Sequence, residues 1–136
     1  MRAAMFLAPL PLLLIGCATT PAERDREAAD QARTQTKLDA ALAGYHPGRE
    51  LTCIQHRDFT DTKRFGQTIL YYVGRNTIYR TDTGQGCADA LDRDDIIVTQ
   101  STIGDYCRGQ IITMIDRTSH FQTGACTFGS FVPYTK

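Results

Sequence analysis

"ILYYVGRNTIYRT", residues 69–81, decides how this chain folds. Ile69, Tyr71 and Val73 alternate with Leu70 and Tyr72, Gly74-Arg75-Asn76 interrupts, and Thr77-Ile78-Tyr79-Arg80 resumes. β-Branched and aromatic side chains favour pleated backbone, and Gly and Asn accept the positive φ that a tight reversal needs. The stretch predicts a β-hairpin. Working outward, residues 96–100 and 110–115 form a second expected pair, separated by a loop with Gly104-Asp105 and Gly109. Residues 51–57 and 126–132 supply outer strands, and Asp89, Asp92, Asp94 and Asp95 crowd a place where the chain must turn. About six short strands with turns between them predict an all-β domain over residues 51–136, a small antiparallel barrel or rolled sheet. A core that small is only marginally sufficient, so its cysteines matter.

Composition changes near residue 50. Eight alanines fall between Ala18 and Ala43 and only Ala88, Ala90 and Ala125 come later, while Glu23, Glu27 and Glu50 are the only glutamates. Ala and Glu favour helix. Thr20-Pro21-Ala22-Glu23 has the form of a capping box with Pro in the first turn. Helix is expected to run to about Ala43, with Gly44 as its stop and Pro47-Gly48 as a turn. Its apolar face is thin, mostly Ala with Leu38 and Leu42, and lacks the sustained heptads of a coiled coil. Residues 17–50 therefore read as a solvated, partly helical tether.

Residues 1–16 carry one charge, Arg2, then an apolar run broken by Pro9 and Pro11 and closed by Gly16. That is the layout of an export signal, too short for a spanning helix, which needs about 20 apolar residues. Leu14-Ile15-Gly16-Cys17 resembles the lipobox of bacterial lipoproteins. The resemblance implies cleavage before Cys17, a diacylglycerol on its sulfur and an acyl group on its new amino nitrogen, enough to hold a protein on a membrane. Ala18 in place of Asp implies transport to the outer membrane, facing the periplasm. The full sequence balances 15 Lys and Arg against 15 Asp and Glu. Such a balance offers no electrostatic case for nucleic acid.

Cys53, Cys87, Cys107 and Cys126 remain, an even set in a small exported domain, and read as two disulfides. Three pairings are possible. Cys53–Cys126 with Cys87–Cys107 is the expected one, because the first and last strands often meet when a sheet closes and Cys87 and Cys107 lie in or beside loops on either side of the Ile96 strand. Cys53-Ile54-Gln55-His56 is a C-x-x-H, but no second close pair accompanies it, so no structural zinc is expected. No cofactor motif is present. Ser101, Ser119 and Ser130 lack a nucleophile-elbow frame, and His46, His56 and His120 stand in separate segments. The acidic run 88–95 lacks the Gly and terminal Glu of a calcium loop.

"CIQHRDF", "ILYYVGRNTIYRT", "GC", "YCRGQIITMID" and "GACTFGSFVPY" resemble, in that order, a family of small proteobacterial envelope lipoproteins of unknown function. Its shared features fall on Cys53-Ile54, Tyr79-Arg80, Cys87, residues 107–112 and the closing C-x-x-G-x-F-x-P from Cys126 to Pro133. The likeness covers residues 51–134 and departs after Cys87, where Ala88-Asp89 replaces a Pro-Gly-like turn. It implies a stapled β domain and assigns no reaction. The expected role is a non-catalytic binding or structural module contacting an envelope protein or glycan. Tyr71, Tyr72, Tyr79 and Arg80 are its candidate contact residues, being types that anchor interfaces. The alternatives are a hydrolase-like site built on His56 or His120 with an Asp, or an inhibitor of an envelope-targeting enzyme.

Overall fold

A computed structural model describes residues 20–84, 86–102 and 104–136; the leader and the Cys17 on which the lipid anchor is expected lie outside that range. The described part begins with α1 (Pro21–Leu42), β1 (His46–Pro47), β2 (Cys53–Gln55), β3 (Asp61–Phe65), β4 (Thr68–Val73) and β5 (Thr77–Thr83). It continues through α2 (Ala88–Asp92), β6 (Ile96–Thr99), β7 (Asp105–Cys107), β8 (Ile111–Ile115) and β9 (Gln122–Thr135). The main sheet runs β3-β4-β5-β9-β8-β6, with β1 added on β9, and β2 pairs β7 in a separate ribbon. Every pairing is antiparallel, and the sheet curls into a half-barrel.

The expected hairpin is β4–β5, with Tyr71 opposite Tyr79 and Val73 opposite Thr77 around Gly74, whose φ is 60°. β3 was not expected, because Asp61-Thr62-Lys63-Arg64 shows no apolar alternation. It follows from Gly66-Gln67: positive φ at Gly66 makes a two-residue reversal that sets Phe65 against Thr68.

β9 lies at the centre of the sheet. Thr81 and Thr83 on β5 face Phe131 and Phe128, so two steps on one strand match three on the other. That is a β-bulge. It shifts the alternation by one, so that Cys126 and Phe128 before it and Phe131 after it all join the interior. Gly129 makes the bulge possible, since a Cβ there would collide with the Asp82 carbonyl.

Alternation gives the hairpin two buried faces. Ile69 and Tyr71 enter the half-barrel core with Ile112, Met114, Phe128 and Phe131. Leu70 and Ile78 point the other way and meet Leu38 of α1, with Leu42, Phe65, Tyr72 and Tyr134 around them. The capping box forms as read: the Thr20 N–H donates to Glu23 Oε2 at 2.7 Å and the Glu23 N–H to Thr20 Oγ1 at 3.3 Å. Residues 20–33 are exposed, as expected of a tether, but the helix's last two turns form the cover of the sheet.

The cysteines pair as Cys53–Cys107 and Cys87–Cys126, which corrects the expected Cys53–Cys126 and Cys87–Cys107. The topology explains the difference. The last strand is central instead of closing the sheet, and the first cysteine strand leaves the sheet for the β2–β7 ribbon, where Cys53 directly faces Cys107. Cys87, at the start of α2, is fully buried against β9.

These contacts generate two expected outcomes. Leu38→Ala should cost about 2–4 kcal/mol, whereas Arg26→Ala on the exposed part of the helix should stay within about 0.5 kcal/mol; urea unfolding reads both. Non-reducing peptide mapping should recover Cys53 linked to Cys107. Replacing both by Ala should lose about 4 kcal/mol, the chain-entropy value for a loop of this separation.

Candidate functional site

A closed barrel would join its first and last strands, but β3 and β6 end this sheet without pairing. The gap between them is a cleft of about 270 Å³. Its lining follows from register. Thr62 lies opposite Tyr71 and Arg64 opposite Ile69, so both β3 residues share the inner face. Across the gap Ile97 faces Met114 and also turns inward. Phe59 and Tyr106 complete the apolar walls, and Arg117, just after β8, reaches over from the far side.

The floor is aromatic. Phe59 stacks on Tyr71 with ring centroids 4.4 Å apart, Tyr106 stacks on Phe128 at 5.2 Å, and Tyr71 meets Tyr106 edge-on at 5.8 Å. Tyr71 is 3% exposed, and its hydroxyl has no hydrogen-bond partner among the described residues. Leaving such a group unpaired costs about 1–3 kcal/mol. Burial, reinforced by Tyr106, pushes the Tyr71 phenol far above its ordinary range, while the Arg64 guanidinium pulls the other way. Burial also raises Tyr106, opposed by the Thr99 hydroxyl.

A single carboxylate bridges the seam. Arg64 Nη1 donates to Asp94 Oδ1 at 2.7 Å, Arg117 Nη2 stands 3.4 Å from Oδ2, and Arg117 Nε donates to the Asp94 carbonyl at 2.7 Å. The Arg64 side chain is only 16% exposed, against 74% for Asp94. Asp94 is held at φ 62°, a conformation that Asp and Asn tolerate better than most residues.

The residues singled out in the sequence do not form one patch. Tyr71 and Tyr79 face the interior, while Tyr72 and Arg80 lie on the helix side. Lys63 Nζ sits 5.1 Å over the Tyr72 ring, and Arg80 pairs with Asp82 at 3.1 Å. Of the four, Tyr71 lines the seam. Cys53 is committed to its disulfide, so the C-x-x-H has no thiolate to offer. His56 hydrogen-bonds the Gly104 carbonyl through Nδ1 and stacks on Tyr106 at 5.4 Å. Among the described residues no ion pair involves a histidine, and no group of three His, Cys, Asp or Glu could hold a metal. Arg64, Arg117, Phe59 and Tyr106 escaped the sequence reading. Only the β3–β4 register could have found Arg64, by placing it opposite a core isoleucine.

A larger groove, about 640 Å³, lies elsewhere, between α1, the β3–β4 turn and α2, and carries Glu27, Asp30, Asp89 and Asp92. None of its lining residues holds an unpartnered buried polar atom. The seam, though smaller, combines a buried orphan hydroxyl, a mostly buried cation and aromatic walls, and is the stronger candidate.

The orphan hydroxyl has a measurable signature. Tyr71→Phe should raise stability at neutral pH by about 1 kcal/mol, because it removes a desolvated group and little else. Unfolded tyrosine ionises near pH 10, and Tyr71 is pushed above that in the fold. Below about pH 10 the phenol is neutral in both states, and as pH rises further its ionisation in the unfolded chain alone draws stability away. Urea unfolding at neutral pH and melts through the alkaline range should show the variant more stable and its alkaline decline shallower. No family model matches this protein, and comparisons with curated proteins and with solved structures find no match either.

Proposed function

We propose that this protein is held in the cell envelope by acyl groups on Cys17, at the outer membrane and facing the periplasm, and acts there by binding, without turnover, through the seam between β3 and β6. The observation that carries the binding role is the Tyr71 hydroxyl, buried without a partner beside an open cleft. Buried polar groups in folded proteins are almost always paired; of the three orphan hydroxyls among the described residues, on Tyr71, Thr81 and Thr99, only that of Tyr71 belongs to a residue lining this cleft, which favours completion from outside the molecule. The partner is an envelope protein or glycan.

The lipobox-like Leu14-Ile15-Gly16-Cys17 supports the anchor. Two disulfides in so small a domain suit an oxidising compartment. Among the described residues no helix is long and apolar enough to cross a membrane. The exposed stretch of α1, residues 21–33, would then stand the domain roughly 20 Å off its anchor, at 1.5 Å per helical residue.

The test combines processing with placement. Intact mass of the membrane-extracted protein should correspond to a triacylated polypeptide beginning at Cys17, and Cys17→Ser should leave the membrane fraction. A photo-cross-linker at Thr62, on the cleft rim, should capture a defined envelope component that one at Arg26 does not. A mature N-terminus elsewhere removes the anchor. Capture at Arg26 and not at Thr62 moves the binding face off the seam.

A further inference from the structure

We infer that the seam takes a carboxylate carried on a flat apolar body, recognised by Arg64 and the Tyr71 hydroxyl; this rests on reading the seam as the binding face. The donors come first. Among the described residues Arg64 uses only Nη1, on Asp94. Its Nε and Nη2 and the Tyr71 hydroxyl are left as donors, with Arg117 as a second cation at the mouth. No Asp or Glu among the described residues lines the cleft. Asp94 occupies one nitrogen of Arg64 and Thr62 adds a hydroxyl, yet donors outnumber acceptors at this polar end, which favours an anion, and a guanidinium fork matches the planar carboxylate.

The walls then select the body. Phe59, Ile97 and Tyr106 form apolar walls of a cleft of about 270 Å³ that also takes in Thr62, Arg64 and Arg117, room for one aromatic ring and its acid group. Asp94 supplies an internal precedent, since Arg64 and Arg117 already converge on the two oxygens of one carboxylate. It is also an internal competitor for the same cations.

Titrating the full-length protein in detergent with benzoate, read by NMR shifts of the Tyr71 and Tyr106 rings, should give a Kd of about 1 mM, as expected for so few atoms. Benzamide, the neutral isostere, should bind at least about tenfold more weakly, the worth of a charged hydrogen bond. Arg64→Gln should weaken benzoate by a similar factor. Asp94→Asn, which keeps the tolerated φ and frees both guanidiniums, should tighten it about threefold or more. This variant and the benzamide comparison carry the test even if Arg64→Gln fails to fold. The dipeptide Ala-Phe and its C-terminal amide distinguish sources: tighter binding by the free acid of the dipeptide than by benzoate assigns the C-terminus of a polypeptide, the reverse a free aromatic acid. Equal binding of benzamide and benzoate, displacement by inorganic phosphate at equal concentration, or no response to Asp94→Asn would overturn the assignment. Continued cross-linking at Thr62 with no carboxylate binding would leave the seam as a binding face and remove its ligand class.

Discussion

Everything in the half-barrel depends on the extra residue in β9. A strand of 14 residues that kept strict alternation would send Phe128 inward and Phe131 outward. The bulge reverses that second step, and both rings reach the core, with centroids 5.4 Å apart. Phe128 then supports Tyr106, Tyr106 supports Tyr71, and Tyr71 supports Phe59, so the aromatic floor of the cleft extends from one irregularity. The bulge itself stands on Gly129, the position where the Asp82 carbonyl leaves no room for a side chain.

That change of phase is visible in the sequence, since Cys126 and Phe128 are spaced by two and Phe131 and Pro133 by two, with three between the pairs. The hairpin was equally legible. So, in principle, was the docking of α1. β4 reads Thr-Ile-Leu-Tyr-Tyr-Val with no polar alternation, and a strand apolar on both faces must be covered on both. The helix looked solvated because its own apolar face is thin, and the surface that matches it, Leu70 and Ile78, is on the hairpin. The disulfide pairing was not legible. It depends on strand order, and each alternative closes loops of similar entropy.

The two ends of the sheet are chemically unlike. β3 reads Asp-Thr-Lys-Arg-Phe, charged enough to discourage another strand, whereas β6 is Ile-Ile-Val-Thr. They are held across the gap by side chains, Arg64 to Asp94, where a closed barrel would use backbone hydrogen bonds. The β2–β7 ribbon brings Ile54 and Tyr106 to the core beside this gap, and the Cys53–Cys107 bridge locks the ribbon that carries them. One disulfide thus serves the cleft wall, while Cys87–Cys126 ties α2 to the central strand.

This division explains how a small domain can keep an incomplete polar site. An orphan hydroxyl costs about 1–3 kcal/mol, a large share of the stability such a domain would have from its core alone. Each disulfide contributes about 4 kcal/mol in the chain-entropy account, so covalent restraint offsets a polar gap that packing alone would struggle to tolerate. Closing the barrel would remove the gap and bury Arg64 against aromatic rings, where losing water costs a cation several kcal/mol. Asp94 satisfies Arg64 only from the solvent side and through one nitrogen. The open seam therefore keeps part of Arg64 in contact with water, while the Tyr71 hydroxyl stays buried in the wall of the same cleft.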